Sequence, residues 1–167
     1  RLKIDGNRLN QNNVPSGVGQ DGGFHGIRVG FTGDCGFIEI SKCDIRDCYT
    51  DGICTRPKVF DDLKITNCYI SGNGRNGITD NAKSSYLENC IIVSNGTRTA
   101  PRSGYHIEPD NSYDFTNKKI FNCLITGNRI ADVKVYFNTK TYNVDLFELN
   151  SCTVGKMSWS NHGVTAD

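Results

Sequence analysis

The sequence predicts an all-β solenoid, a parallel β-helix of about five to six coils with three short strands in each. Three observations predict it. A cysteine, one residue and an aliphatic residue recur at Cys43-Asp44-Ile45, Cys68-Tyr69-Ile70, Cys90-Ile91-Ile92, Cys123-Leu124-Ile125 and Cys152-Thr153-Val154, with the cysteines 25, 22, 33 and 29 residues apart. Apolar residues alternate in short runs such as Phe37-Ile38-Glu39-Ile40 and Leu63-Lys64-Ile65, bounded by Asn, Gly and Asp, which is the period-2 signature of strands. No stretch carries helical periodicity, so nothing supplies the crossover helix of a βαβ sheet. Each coil must then pair with the coils above and below it, ~4.8 Å away.

The repeat divides into three pieces. Piece one carries a Gly-Ile phrase, His25-Gly26-Ile27, Asp51-Gly52-Ile53, Asn76-Gly77-Ile78 and Ser103-Gly104-Tyr105, which degrades to Ala131-Asp132-Val133. Piece two places an aliphatic residue three before the cysteine, at Ile40, Ile65, Leu87, Ile120 and Leu149. Piece three is the Cys-x-Ile itself. The aliphatic row, the cysteine row and the Ile45/Ile70/Ile92/Ile125/Val154 row are expected to face inward. Asn67, Asn89 and Asn122 fall at the bend between pieces two and three, where stacked amides pass hydrogen bonds along the stack. A turn residue follows five after the cysteine at Asn73, Asn95 and Asn128, with Cys48 and Met157 as exceptions. Residues 1–167 read as one β-helix domain, a piece of a longer chain, with clear repeats over 24–155. The tail 156–167 is off-pattern and is expected to cap the stack or lead into another coil.

Bulk properties narrow the classes. A net charge of +1 offers no broad basic field for nucleic acid, and no apolar run approaches the ~20 residues of a membrane-spanning helix. Five of the eight cysteines lie in the ladder. In-register side chains there point the same way, so their Cβ atoms stay ~4.8 Å apart, beyond the ~3.8 Å mean of a disulfide. Reduced thiols serving as small core groups are therefore expected, and with them folding in a reducing cytosol. Cys43, Cys48 and Cys54 lie close in sequence but make no repeated ligand signature, so no metal is expected. Asn95-Gly96-Thr97 matches a glycosylation sequon that a reducing compartment leaves unused.

The repeat is similar to that of the right-handed parallel β-helix superfamily, the pectate-lyase-like fold, of the form N-C-x-I-x-x-N-G-x-x-G-I. Its clearest copy is Asn67-Cys68-Tyr69-Ile70-Ser71-Gly72-Asn73-Gly74-Arg75-Asn76-Gly77-Ile78. The resemblance implies right-handed coiling. It also implies a polysaccharide or cell-surface glycan as partner, in the manner of a bacteriophage tailspike on a virion tail or in the extracellular space. A homotrimer, or additional β-helix segments, would complete such an assembly.

Chemistry is expected on an outward ridge. With the residue after each Gly of piece one pointing inward, Arg28, Cys54, Thr79, His106 and Lys134 point outward, and Arg56, Asn81, Glu108 and Tyr136 follow two residues on. Glycoside hydrolysis needs two carboxyl groups, ~5–5.5 Å apart for retention or ~6.5–9.5 Å for inversion. Glu108 as acid and Asp80 as base or nucleophile, one coil apart, are the expected catalytic pair, with His106 orienting or sharing a proton. Asp80 lies beside the ridge with its facing open. Arg56, Lys134, Tyr136 and Tyr105 are the expected substrate-binding residues. Asp51 before Gly52 reads as a turn residue. Tyr49, Tyr69, Tyr113, Tyr142 and Trp159 are candidate sugar-stacking platforms. The alternatives are a non-catalytic receptor-binding or structural shaft, and a polysaccharide lyase or epimerase using Tyr105, His106 and Arg56. No cofactor is expected, a divalent cation entering only in the lyase case.

Overall fold

The computed structural model describes residues 2–6, 24–29, 35–55, 60–98, 102–108, 117–137 and 147–161. Its strands form three sheets, and every pairing is parallel and links one coil to the next. The cysteine sheet holds β1 (Leu2–Asp5), β4 (Cys43–Arg46), β7 (Tyr69–Ser71), β10 (Ile91–Val93), β13 (Leu124–Thr126) and β16 (Thr153–Val154). The glycine sheet holds β2 (Ile27–Val29), β5 (Ile53–Thr55), β8 (Ile78–Asp80), β11 (Ser103–Ile107), β14 (Ala131–Phe137) and β17 (Met157–Asn161). The third sheet holds β3 (Cys35–Ser41), β6 (Phe60–Thr66), β9 (Ser84–Glu88), β12 (Asn117–Phe121) and β15 (Phe147–Asn150). This is the predicted three-strand coil.

The inward rows fall where the repeat puts them. Ile45, Ile70, Ile92 and Ile125 are sealed from solvent, as are Ile65, Leu87 and Ile120 of the third sheet and Ile53, Ile78, Tyr105 and Val133 of the glycine sheet. At the far coil the same row ends in Leu149, 38% exposed, because β15 pairs on one side alone among the described strands. Two segments outside the clear repeats join the stack. Leu2 and Ile4 stand opposite Cys43 and Ile45, so β1 is the third piece of a preceding coil in which leucine replaces the cysteine. In the tail, Met157 pairs with Val133 and Trp159 with Val135, so 157–161 leads into another coil.

Each coil turns through left-handed corners. Lys42, Asn67, Asn89, Asn122 and Ser151, each just before a ladder cysteine, have φ of 48–54°. Asparagine tolerates this conformation better than most L-residues, which explains the Asn of the Asn-Cys phrase. Asn122 Nδ2 donates to Asn89 Oδ1 at 2.6 Å. The thiols cap the same corner. Cys43, Cys68, Cys90, Cys123 and Cys152 each donate to the carbonyl two residues back, at 3.1–3.3 Å. Cys43, Cys48, Cys54, Cys68, Cys90, Cys123 and Cys152 carry free thiols.

The main amide ladder runs along the other asparagine row. Asn73 Oδ1 accepts from the Cys48 backbone N–H. Asn95 Oδ1 accepts from both Asn73 N–H and Asn73 Nδ2. Asn128 Oδ1 does the same for Asn95, and Asp132 Oδ1 for Asn128. Asn73 and Asn95 are buried, so the sequon amide of Asn95 is enclosed in the ladder. The glycines of piece one make room for it. A Cβ at Gly77 would lie 2.9 Å from Asn95 Nδ2 and 2.6 Å from the Gly104 carbonyl, and at Gly104 2.5 Å from Asn128 Nδ2. The Gly-Ile phrase and the Asn row thus require each other.

Candidate functional site

The outward face of the glycine sheet buries four ionisable side chains among the described residues, Asp51, Cys54, Arg75 and His106. Cys54, Thr79 and His106 point away from the core, alternating with Ile53, Ile78 and Tyr105, yet all three are buried. Preceding them, the residue before each Gly forms a stacked column of His25, Asp51, Asn76 and Ser103. The register is set by Gly26 N–H to Asp51 O, Gly52 N–H to Asn76 O and Gly77 N–H to Ser103 O.

Asp51 is the hub. Its carboxylate accepts from the Asn76 N–H at 2.9 Å and the Thr79 hydroxyl at 3.1 Å. It pairs with Arg75 Nε at 3.1 Å and faces His25 Nδ1 at 3.4 Å. Asn76 carries the network onward, donating from Nδ2 to Thr79 Oγ1 at 2.9 Å and lying 3.4 Å from His106 Nδ1. His106 in turn has Glu108 Oε2 at 3.9 Å, Lys134 opposite it in the ladder, and the Tyr136 ring edge-on with centroids 6.2 Å apart. Lys134 Nζ lies 6.0 Å from the centroid of the Tyr136 ring. Burial, then Lys134 and Arg75, push the imidazole pKa of His106 down to about 3, against an opposing pull from Asp51. His106 is neutral at ordinary pH. The Nε2 atoms of His25 and His106 are both buried without a hydrogen-bond partner among the described residues.

His106, Glu108, Lys134 and Tyr136 therefore gather on one face as expected. Two other candidates do not join them. Asp80 stands opposite Ile107, not Glu108, and by strand alternation turns into the core, where it is fully buried. It accepts there from the Tyr105 hydroxyl, the Ser85 hydroxyl, the Ala82 N–H and the Lys118 ammonium. Lys118 Nζ donates to Asp80 Oδ2 at 2.9 Å, Ala82 O at 2.6 Å and Ser85 Oγ at 2.7 Å, which matches its three protons to three acceptors. Tyr105 is likewise inward and sealed, so it lies on the opposite side of the sheet from the ridge. Burial, then the Asp80 charge, holds its phenol well above the usual range. Burial pulls the Lys118 ammonium down, with Asp80 opposing. The expected Glu108–Asp80 ridge pair is thus replaced by an interior Asp80–Lys118 pair. Arg56, Tyr113 and Tyr142 lie outside the described residues.

Sequence reasoning missed Asp51, Arg75, Asn76 and Lys118. The signal for Lys118 was present, since it sits two residues before the inward Ile120. The signal for Asp51 and Asn76 was their shared place before the glycines, where Asp51 was discounted as a turn residue. Ligand atoms of His25, Asp51 and Cys54 lie within 4.8 Å of one another. Arg75 and the Thr79 hydroxyl already engage Asp51. Burial, then Asp51, pushes the Cys54 thiol up to about 12, so a cation would have to displace Arg75 and a tightly held thiol proton.

A family model described as the right-handed beta helix region matches residues 1–149 of the chain. No curated protein and no solved structure matches it.

Proposed function

Since the chain belongs to the right-handed β-helix family, we propose that the outward face of the glycine sheet binds a polysaccharide along the stacking axis and that Glu108 is the proton-transfer group for its cleavage. The family accommodates polysaccharide-related and structural β-helix proteins. The observation that carries the proposal is the charged network across successive coils on a surface the core does not need. Folding alone gives no reason to bury Asp51, Arg75 and His106 on an outward face, since burying charge costs free energy unless every partner is in place. In the network two imidazole nitrogens still have no partner among the described residues.

The hydrolytic version needs a second carboxylate. Asp51 is two coils and five register positions from Glu108, ~10 Å across and ~16 Å along the strands. That is longer than the ~6.5–9.5 Å of an inverting pair. Elimination, which asks for one base and a cation to neutralise the substrate's acidic group, fits better with Glu108 and Lys134, which stands opposite His106 on the adjacent strand. Product analysis on bacterial and plant polysaccharides tests this. Elimination yields unsaturated ends that absorb in the ultraviolet, and hydrolysis yields only new reducing ends. Glu108→Gln is expected to lower the cleavage rate at least ~100-fold; unchanged cleavage removes Glu108 from the reaction.

A second reading, binding without cleavage, is favoured by the inward turn of Asp80, which leaves Glu108 as the half-exposed carboxylate of the cluster. It is distinguished by glycan binding in the absence of any product. The partner is then a receptor glycan, and a tailspike-like trimer on a virion is the matching assembly, checked by the scattering mass of the intact protein.

A further inference from the structure

The geometry points to His106 as a neutral hydrogen-bond donor that presents an Nε2 proton to a sugar oxygen, with Asn76 as the positioning residue that fixes this tautomer. The inference rests on the reading of the glycine-sheet face as the polysaccharide-binding face.

The reasoning starts from a backbone amide. The Ser103 N–H donates to Asn76 Oδ1 at 2.8 Å. A peptide N–H has no lone pair to offer, so this contact decides which end of the Asn76 amide is oxygen. Nδ2 must therefore face Thr79 Oγ1 and His106 Nδ1. Thr79 directs its own proton to Asp51 Oδ2, so its oxygen is free to accept the first Nδ2 hydrogen. The second is directed at His106 Nδ1, 3.4 Å away. A nitrogen that accepts carries no proton, which leaves the imidazole proton on Nε2. Glu108 Oε2 would favour the opposite tautomer, but at 3.9 Å from Nδ1 it is beyond hydrogen-bond range. Arg75 and Lys134 keep the ring neutral, with Asp51 the opposing charge.

The Nε2–H so produced is buried and meets no acceptor among the described residues, and the side chain is 4% exposed. A buried donor left unmet costs free energy, and its persistence on an outward face marks a place built for an acceptor from outside. A hydroxyl, ring or glycosidic oxygen supplies one. His106 then acts by polarising that oxygen, while proton transfer belongs to Glu108.

Long-range nitrogen–proton NMR of the intact protein tests this. Nε2 is expected to be protonated and Nδ1 bare at neutral pH, persisting as the pH falls toward about 3. A proton on Nδ1, or an imidazolium at neutral pH, overturns the proposal. In Asn76→Asp the donor becomes an acceptor, so the proton is expected to move to Nδ1 and the imidazole to titrate at a higher pH. If that variant does not fold, the wild-type spectrum decides alone. Titration with short dextran and polygalacturonate oligosaccharides is expected to shift the Nε2 resonance with at least one of them. If oligosaccharides bind but none moves it, the donor role fails while the binding face stands. If neither oligosaccharide binds, the binding face and the donor role fail together.

Discussion

Two buried polar networks lie on opposite sides of the same sheet, and they are built differently. Inside, Asp80, Lys118, Ser85 and Tyr105 close on one another, with each ammonium proton and both carboxylate oxygens met. Outside, Asp51, Arg75, Asn76, Thr79 and His106 form a chain that stops at imidazole Nε2 atoms with no partner among the described residues. Burial is similar in both, so burial does not distinguish the two networks, and completeness does. A satisfied network asks for nothing further, whereas an unfinished one leaves a position for a partner.

The largest effect expected from this contrast is inside. Lys118→Met strands the Asp80 carboxylate in the core and should cost ~3–5 kcal/mol in urea unfolding. Adding Asp80→Asn should recover much of it. A loss below ~1 kcal/mol would mean that the interior pair is not the structural half of the comparison.

Acid should act on the outer network. His106 has a folded pKa of about 3, below the ~6.5 of an unfolded histidine. The unfolded chain therefore takes up this proton first. The contribution is fully present above pH ~6.5 and falls by about 1.4 kcal/mol for each pH unit below that, until about 3 is reached. Unfolding measured against pH in wild type and in His106→Leu isolates it, and identical acid slopes in the two would refute it.

At neutral pH, His106→Leu deletes one unmet donor but strands a hydrogen of Asn76 Nδ2, so stability should change by no more than ~1 kcal/mol, while glycan affinity drops. A marked loss of stability would place His106 with the structural residues. Smallest of all should be the stability effect of Glu108→Gln, within about 0.5 kcal/mol for a half-exposed side chain. Its whole effect should appear in cleavage.

The fold was legible because its determinants repeat. The Cys-x-Ile phrase samples one environment five times, and the corner Asn and the Gly-Ile phrase sit at fixed offsets from it. Leu2 and Met157 escaped because each stands alone in its row without the expected residue type. The site was legible only where strand alternation alone decides facing, as for His106 and Lys134. Asp80 ends its strand, where a one-residue difference reverses the side, and the partner that makes its burial tolerable lies 38 residues away. Asp51 was hidden by local chemistry, since Asp-Gly is a common turn pair, and its stacking with Asn76 appears only once the coils are in register.

The buried asparagine row has a sense of direction. Asn73 and Asn95 each hand an amide hydrogen to the asparagine oxygen of the next coil, in a row that begins at the Cys48 peptide and ends when Asn128 donates to Asp132, four residues on. A carboxylate receives but cannot pass on, and the other oxygen of Asp132 closes on the Lys156 peptide. Coils between Cys48 and Asn128 are thus interchangeable modules, and an extra copy spliced there would restore an unbroken relay. The same copy placed beyond Asp132 would find no donor to join. The relay, and not the solenoid, is what the Cys48 peptide and the Asp132 carboxylate bound, since strands stack beyond both.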